Sequence, residues 1–201
     1  MISETTIIIP ALKNSPILDN TLKHCLELKT NPDIIVVTDD STNQTYQDQN
    51  NVKYMVVKPG MNMSKKRNIA VQKCESKYIA FFDSDSFPAN ENWVISAIYS
   101  LNKDKKIYAV GGPDTSPPFE EESQKNVGLL KKSFLISGFR NHRKNILNEM
   151  YVPELSSCNL FMEKKRYMEF KGMDENLYTG EDTDLYNRII AKGYKLYYSP
   201  K

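Results

Sequence analysis

Cysteine is scarce in this 201-residue chain: Cys25, Cys74 and Cys158 are the whole set, and no two form a CxxC pair. An odd count without ligand spacing speaks against a disulfide framework and for reduced thiols in a cytosolic compartment. Long apolar runs are missing too. Thr5 to Pro10 is too short for the hydrophobic segment of a signal peptide. No stretch approaches the ~18 apolar residues that would span a bilayer, so a soluble chain is expected. Nor does one sign of charge dominate, since 27 Lys and Arg against 25 Asp and Glu leave a net +2. A nucleic-acid partner would call for a larger basic excess, so none is expected. The two histidines, His24 and His142, have no constellation of chemical partners around them. Repeats, low-complexity tracts and linkers are absent, which leaves one domain.

What is present is ordinary for a globular protein: 40% apolar and 26% charged residues, in a length that suits one sizeable core. In the first half, short apolar runs alternate with amphipathic stretches, the pattern of an α/β domain with a mainly parallel sheet. Strands are expected at Thr5–Ile9 (stopped by Pro10), Ile34–Val37, Val52–Val57, Tyr78–Phe82 and Ile107–Val110. Helices are expected at Pro16–Lys29, capped by Ser15 with Ile17, Leu18, Leu22, Cys25 and Leu26 inward, after a cap at Ser64, and at Asn92–Leu101. The second half changes character. Asp114–Glu122, rich in proline and glutamate, reads as an excursion loop, and residues 123–150 read as helical but poorly patterned. A strand at Ser156–Met162, a short helix at Arg166–Phe170, a helix at Asp182–Lys192 stopped by Gly193, and a strand at Tyr194–Tyr198 complete the chain.

Four segments carry chemistry. Asp83-Ser84-Asp85 directly follows an apolar strand, where open α/β sheets bind ligands. Two carboxylates one residue apart can turn toward one hard divalent cation, although Asp-x-Asp is also a common surface turn. Thr38-Asp39-Asp40-Ser41-Thr42 ends the second strand, where an Asp can accept from a nucleotide or simply close a turn. Lys65-Lys66-Arg67 opens a helix against its dipole, which suggests either an anionic partner or an exposed basic turn. The other basic clusters, Arg140–Lys144 and Lys164-Lys165-Arg166, read as solvated faces. Finally, Gly180-Glu181-Asp182-Thr183-Asp184 opens a helix with three acids, which can cap it or supply a general base.

Taken in order, Pro10-Ala11, Asp39-Asp40-Ser41-Thr42, Lys66-Arg67-Asn68, Phe81-Phe82-Asp83-Ser84-Asp85, Val110-Gly111-Gly112-Pro113, Ser157-Cys158-Asn159-Leu160-Phe161, Lys171-Gly172-Met173-Asp174-Glu175 and Gly180-Glu181-Asp182-Thr183-Asp184-Leu185 make a series. It resembles the family 2 glycosyltransferases over residues 4–201. The resemblance implies the GT-A (nucleotide-diphospho-sugar transferase) fold, an α/β domain with a mixed, mostly parallel central sheet flanked by helices. It divides the chain into a nucleotide-sugar-binding half, 1–112, and an acceptor-binding, catalytic half, 113–201. By resemblance, Pro10 begins the loop around the base, Asp39 bonds the nucleobase and Arg67 approaches base or phosphates. Asp83 lies near ribose and metal, with Ser84 in the donor site, and Asp85 ligates Mn²⁺ or Mg²⁺ directly. Asp182 is the catalytic base and Glu181 orients beside it, in a single inverting displacement. The implied donor is a nucleoside-diphosphate sugar, with a UDP-sugar favoured. The acceptor is a saccharide or a polyprenyl-linked chain in surface-polysaccharide synthesis.

The chain departs from the pattern at Leu12 and Lys13, where relatives carry an aromatic and an Asn, and at Thr38, where they carry an Asp. Relatives commonly place a metal-ligating His after the last strand and continue into membrane-associated helices. The expectation is therefore a catalytic domain truncated after Lys201, cytoplasmic, with peripheral contact at the inner face of the membrane through the missing residues. Other classes compete. A dehalogenase-type phosphohydrolase also uses Asp-x-Asp after a strand, but on the first strand, and here three strands precede it. A sugar-nucleotide pyrophosphorylase needs a Gly-rich loop that Pro10-Ala11-Leu12-Lys13 cannot supply. A non-catalytic nucleotide-sugar binding module would keep the donor site without needing Asp182.

Overall fold

Strands that are apolar on both faces belong at the centre of a covered parallel sheet. In the computed structural model, which describes residues 4–40, 51–114 and 148–200, that is where they lie. The strands are β1 (Thr5–Ala11), β2 (Asp33–Thr38), β3 (Val52–Val56), β4 (Tyr78–Phe81), β5 (Ile107–Gly111), β6 (Met150–Val152), β7 (Leu160–Glu163) and β8 (Lys195–Tyr198). They form one sheet in the order β3-β2-β1-β4-β7-β5-β8-β6. Neighbours β3, β2, β1 and β4 are parallel, β7 runs against β4 and β5, β8 is parallel to β5, and β6 runs against β8.

Helices cover both faces. On one side, α1 (Pro16–Leu26) and α3 (Trp93–Leu101) bury Leu18, Leu22, Cys25, Trp93, Val94 and Ala97 against Ile7, Ile9, Ile34, Val36 and Ala80. On the other, α2 (Met63–Lys73), α4 (Lys164–Glu169) and α5 (Glu181–Ala191) bury Ala70, Val71, Tyr167, Leu185 and Ile189 against Ile8, Ile35, Val37, Ile79 and Phe81. The Ser15 hydroxyl accepts the Leu18 amide at 3.2 Å, the expected cap of α1. Gly193, at φ 83°, closes α5. Its amide reaches the Ile190 carbonyl and the Tyr194 amide the Ile189 carbonyl, which is a Schellman stop.

Several expectations need correction. Pro10 does not stop β1, which continues to Ala11 opposite Thr38. The Phe82 amide bonds the Ile8 carbonyl, so Ile8 turns toward β4, and Pro10 turns the same way two residues later. The β1–β4 ladder has already ended at Phe81, so Pro10 lacks an N–H only where none is needed. Ile17 is 60% exposed, because Leu18, Leu22 and Cys25 set the buried stripe of α1. Asn62, not Ser64, caps α2: its side-chain oxygen accepts the Lys65 amide at 2.9 Å, and Ser64 is buried inside the helix. The expected strand at Ser156–Met162 begins with a 3₁₀ turn, Ser157–Asn159, and extends only from Leu160. Residues 148–150 are not helical, and Met150 opens the edge strand β6. Ser41 and Thr42, the excursion loop beyond Asp114, the expected helix up to 147, the Arg140–Lys144 cluster and His142 lie outside the described residues.

Candidate active site

Parallel pairing puts the carboxyl ends of β1, β2 and β4 on one edge of the sheet. The antiparallel β7 starts there, with Leu160 opposite both Phe81 and Gly111. Asp39, Asp83-Ser84-Asp85 and Asp114, following β2, β4 and β5, therefore share that edge.

The first turn of α2 organises it. Lys66 is fully buried, its Nζ 2.6 Å from Asp39 Oδ1 and donating to the Ala11 carbonyl at 2.6 Å. Arg67 is also buried. One guanidinium nitrogen lies 2.8 Å from Asp83 Oδ1 and the other 3.1 Å from Glu181 Oε1. Asn68 donates to the Met173 carbonyl at 2.8 Å and to Glu175 Oε1 at 3.1 Å, and its own oxygen accepts Tyr167 Oη–H at 2.6 Å. Lys66 and Arg67 thus do not form an exposed basic turn. The cost of cations at this helix terminus is offset by the protein's own carboxylates, drawn from β2, β4 and α5.

These contacts set the protonation of the edge. Burial pushes the Asp39 carboxyl up, but the Lys66 ammonium and the Gly60 amide at 3.1 Å outweigh it and hold the group below its ordinary value. A depressed folded-state pKa stabilises the fold above the ordinary Asp range and loses that contribution as pH falls through it. Lys66→Met is expected to cost roughly 3–5 kcal/mol at neutral pH, because it strands a carboxylate against a buried wall. The deficit should narrow below about pH 4 as that carboxyl protonates. Urea unfolding of wild type and variant at both pH values measures it.

Asp83 behaves oppositely. Burial, then the neighbouring charges of Asp85 and Asp114, raise its carboxyl above the ordinary value against the opposing pull of Arg67. Its side chain nevertheless keeps 44% exposure, and Asp85 beside it is exposed. Ser84 is half-buried and its carbonyl accepts the Thr21 hydroxyl at 3.0 Å. Together with His24 stacked on Phe87 at 4.4 Å, this bond braces the triplet from α1. Cys158, to which the sequence attached no neighbours, lies 3.5 Å from Asp114, and burial and acidic neighbours push its thiol up to about 12. Thr21 and Asp114 left no signal in the sequence and Cys158 entered only as part of a motif, since each gains its neighbours only from elements brought together by the fold.

The acidic opening of α5 divides its work. Gly180, at φ 79°, is the cap and makes no side-chain capping bond. Glu181 faces Arg67, Asp184 pairs with Arg188 at 2.7 Å, and half-buried Asp182 accepts the Thr183 amide at 2.8 Å. Gly172, at φ 69°, lets the preceding loop pass close to α2. A β-carbon there would lie 2.4 Å from Asn68 Oδ1 and 2.8 Å from the Tyr167 ring. Gly172→Ala is therefore expected to lose about 2–3 kcal/mol, from backbone strain and the displaced Asn68. Thermal unfolding at fixed pH reads this directly.

The structure thus brings Arg67, Asp83 and Glu181 into contact, sets Ser84, Asp85 and Asp182 close by in sequence, and ties Asp39 to the end of β1 beside Pro10 through Lys66. Among the described residues, no group of three or more His, Cys, Asp or Glu is arranged to hold a metal, and no helix is long and apolar enough to cross a membrane.

Comparison with known proteins adds to this geometry. The family model described as glycosyl transferase family 2 matches residues 6–164. Chondroitin synthase of Pasteurella multocida is 31% identical over 115 residues, covering 53% of this chain and 12% of that protein. Poly(ribitol-phosphate) beta-N-acetylglucosaminyltransferase TarS of Staphylococcus aureus is 25% identical over 186 residues, covering 85% of this chain and 30% of that protein. The chain therefore spans less than a third of either relative. The structure of S. aureus TarS 1–349 in complex with UDP-GlcNAc superposes with a TM-score of 0.67 at 15% identity, covering 98% of this chain and 58% of that one. A mannosyltransferase from Pyrobaculum calidifontis, in complex with GDP-Man and Mn²⁺, superposes with a TM-score of 0.69 at 14% identity, covering 100% and 56%. The expected GT-A sheet is borne out.

Proposed function

The chain belongs to glycosyl transferase family 2, and from that premise we propose that it moves a sugar from a UDP-sugar to a hydroxyl of a saccharide or lipid-linked acceptor. The product would be a cell-surface polysaccharide or a decoration on one. The observation that carries this reading is the bridge of Arg67 between Asp83 and Glu181, at 2.8 and 3.1 Å. One buried cation joins the acidic strand end expected to face the donor to the helix expected to activate the acceptor.

In this reading Pro10 and Asp39 border the nucleobase, Asp39 held in place by Lys66 and Gly60. Asp83, Ser84 and Asp85 face the ribose and diphosphate. The residues fit a divalent cation without a ready-made cage, because Mn²⁺ or Mg²⁺ takes one or two carboxylates and draws further oxygens from substrate phosphates. The mutual crowding of Asp83, Asp85 and Asp114 is the kind of charge a cation relieves. Asp85, with the Asp83 oxygen turned from Arg67, would hold it. When bound, such a cation supplies positive charge beside the departing diphosphate.

Asp182 takes the proton of the acceptor hydroxyl as its oxygen bonds the anomeric carbon and the bond from that carbon to the diphosphate oxygen breaks, with inversion. Glu181, engaged by Arg67, orients this segment rather than acting as the base. The UDP preference follows from TarS, whose structure carries UDP-GlcNAc, and the metal from the mannosyltransferase solved with Mn²⁺. The same reading puts the reaction in the cytoplasm, with peripheral contact at the inner membrane face for a lipid-linked acceptor. The test is UDP release and labelled-sugar transfer from a panel of UDP-sugars with Mn²⁺. Acceptor-dependent UDP release supports the proposal, and no turnover of any UDP-sugar or GDP-sugar contradicts it.

A further inference from the structure

Tyr178 is 87% exposed, the most exposed large apolar side chain among the described residues. A lone surface tyrosine needs no explanation, but this one sits on a segment that is pinned on both sides. Upstream, Asp174 Oδ1 accepts the Asn176 amide at 2.9 Å, and the Asp174 carbonyl accepts the Leu177 amide at 3.3 Å. The Glu175 carbonyl accepts Asn62 Nδ2 at 2.6 Å, and its carboxylate accepts Asn68 Nδ2 at 3.1 Å. Downstream, the Gly180 carbonyl accepts the Asp184 amide at 2.9 Å, and Glu181 holds Arg67. The fold therefore holds the chain on both sides of Tyr178 and leaves the ring in water. Three residues separate it from Asp182, so the two Cα atoms, four steps apart along the chain, lie within about 14 Å of each other.

We infer that Tyr178 is the acceptor platform, stacking against the C–H face of the saccharide ring whose hydroxyl is presented to Asp182. This rests on the transferase reading above and names a specificity-determining residue within it. A tyrosine suits the task because it offers a large rigid face with only two side-chain torsions to freeze. Its phenolic oxygen remains free to bond ring hydroxyls, as amphipathic aromatic side chains do where one end must stay wet. The neighbouring Asn176 is also exposed, its Nδ2 donating to Asp174 Oδ1 at 3.0 Å.

The test is steady-state transfer by the full chain from UDP-GlcNAc to chitotetraose and to a chondroitin tetrasaccharide, comparing Tyr178→Ala, Tyr178→Phe and Tyr178→Trp. The expected result is an acceptor KM raised about ten-fold in the Ala variant and kept within about two-fold in Phe and Trp, the loss of one aromatic contact. The KM for UDP-GlcNAc and the slow release of UDP into water stay unchanged in all three. An unchanged acceptor KM in Tyr178→Ala, a donor KM that rises in parallel, or transfer only to acyclic polyol phosphates overturns the inference while the transferase reading stands. A wild-type chain that neither transfers nor hydrolyses any nucleotide sugar removes that reading and the inference with it.

Discussion

Replacing Asp182 by Asn should lower kcat for sugar transfer by about 10²–10⁴-fold, the usual contribution of a positioned general base. Affinity for the UDP-sugar should stay within a few-fold of wild type. The substitution is a clean probe because it keeps the local fold. The introduced carboxamide would retain an oxygen to accept the Thr183 amide, which Asp182 takes at 2.8 Å. It would forfeit the favourable charge at the start of α5, a loss of about 0.3–1 kcal/mol. Glu181→Gln makes the contrast. That side chain is 14% exposed and faces Arg67, so losing its charge should show first as lower stability, through a buried guanidinium left with Asp83 as its one carboxylate partner. Single-turnover kinetics and unfolding on the two variants separate the roles. A full-rate Asp182→Asn variant would move the base elsewhere.

Asp85→Asn is the second large expected effect, at the other end of the Arg67 bridge. Asp85 is exposed, so the substitution should leave stability within about 0.5 kcal/mol. Transfer should nevertheless fall by at least about 10–100-fold, since even groups that only support metal ligands cost that much when removed. Higher Mn²⁺ should recover part of the loss, which distinguishes a weakened cation site from a damaged nucleotide site. Asp83→Asn would be harder to read, because Asp83 also pairs with Arg67 at 2.8 Å. An Asp85→Asn enzyme with unchanged rate and metal dependence would contradict the assignment.

Much of the sheet was legible in the sequence, for a physical reason. Ile34–Val37 and Tyr78–Phe82 are apolar on both faces, as strands buried in a parallel sheet must be, and the chain punctuates them with polar turns. Pro10 misled because a proline interrupts a ladder only where its missing N–H faces a partner. That depends on where β4 ends, which no local pattern encodes. The edge strand Met150–Val152 is too short, and too exposed, to leave an alternating signature.

The candidate site was legible as a list of residues but not as an arrangement. The order of motifs pointed to Asp39, Arg67, Asp83 and Asp182. It did not show that Lys66 and Arg67 are buried, since those burials depend on carboxylates 27 residues before Lys66 and 16 and 114 residues after Arg67 in sequence. The dipole argument at α2 left an anionic partner and an exposed basic turn both open, and the fold answers with carboxylates of its own. Thr21 behind Ser84, and the approach of Asp114 and Cys158 to Asp83, were invisible for the same reason. Family membership sets aside the phosphohydrolase and pyrophosphorylase alternatives. It leaves the base contacts around Leu12, Lys13 and Thr38 to be read from donor binding.

Calorimetric titration of UDP into the wild-type chain, with Mn²⁺ and then with EDTA, tests the central claim most directly. The account predicts saturable binding at one site that requires Mn²⁺, disappears with EDTA and returns when the metal is restored. UDP that binds equally well in EDTA, or not at all in Mn²⁺, would contradict the assignment of Asp83-Ser84-Asp85 as the metal-assisted donor site.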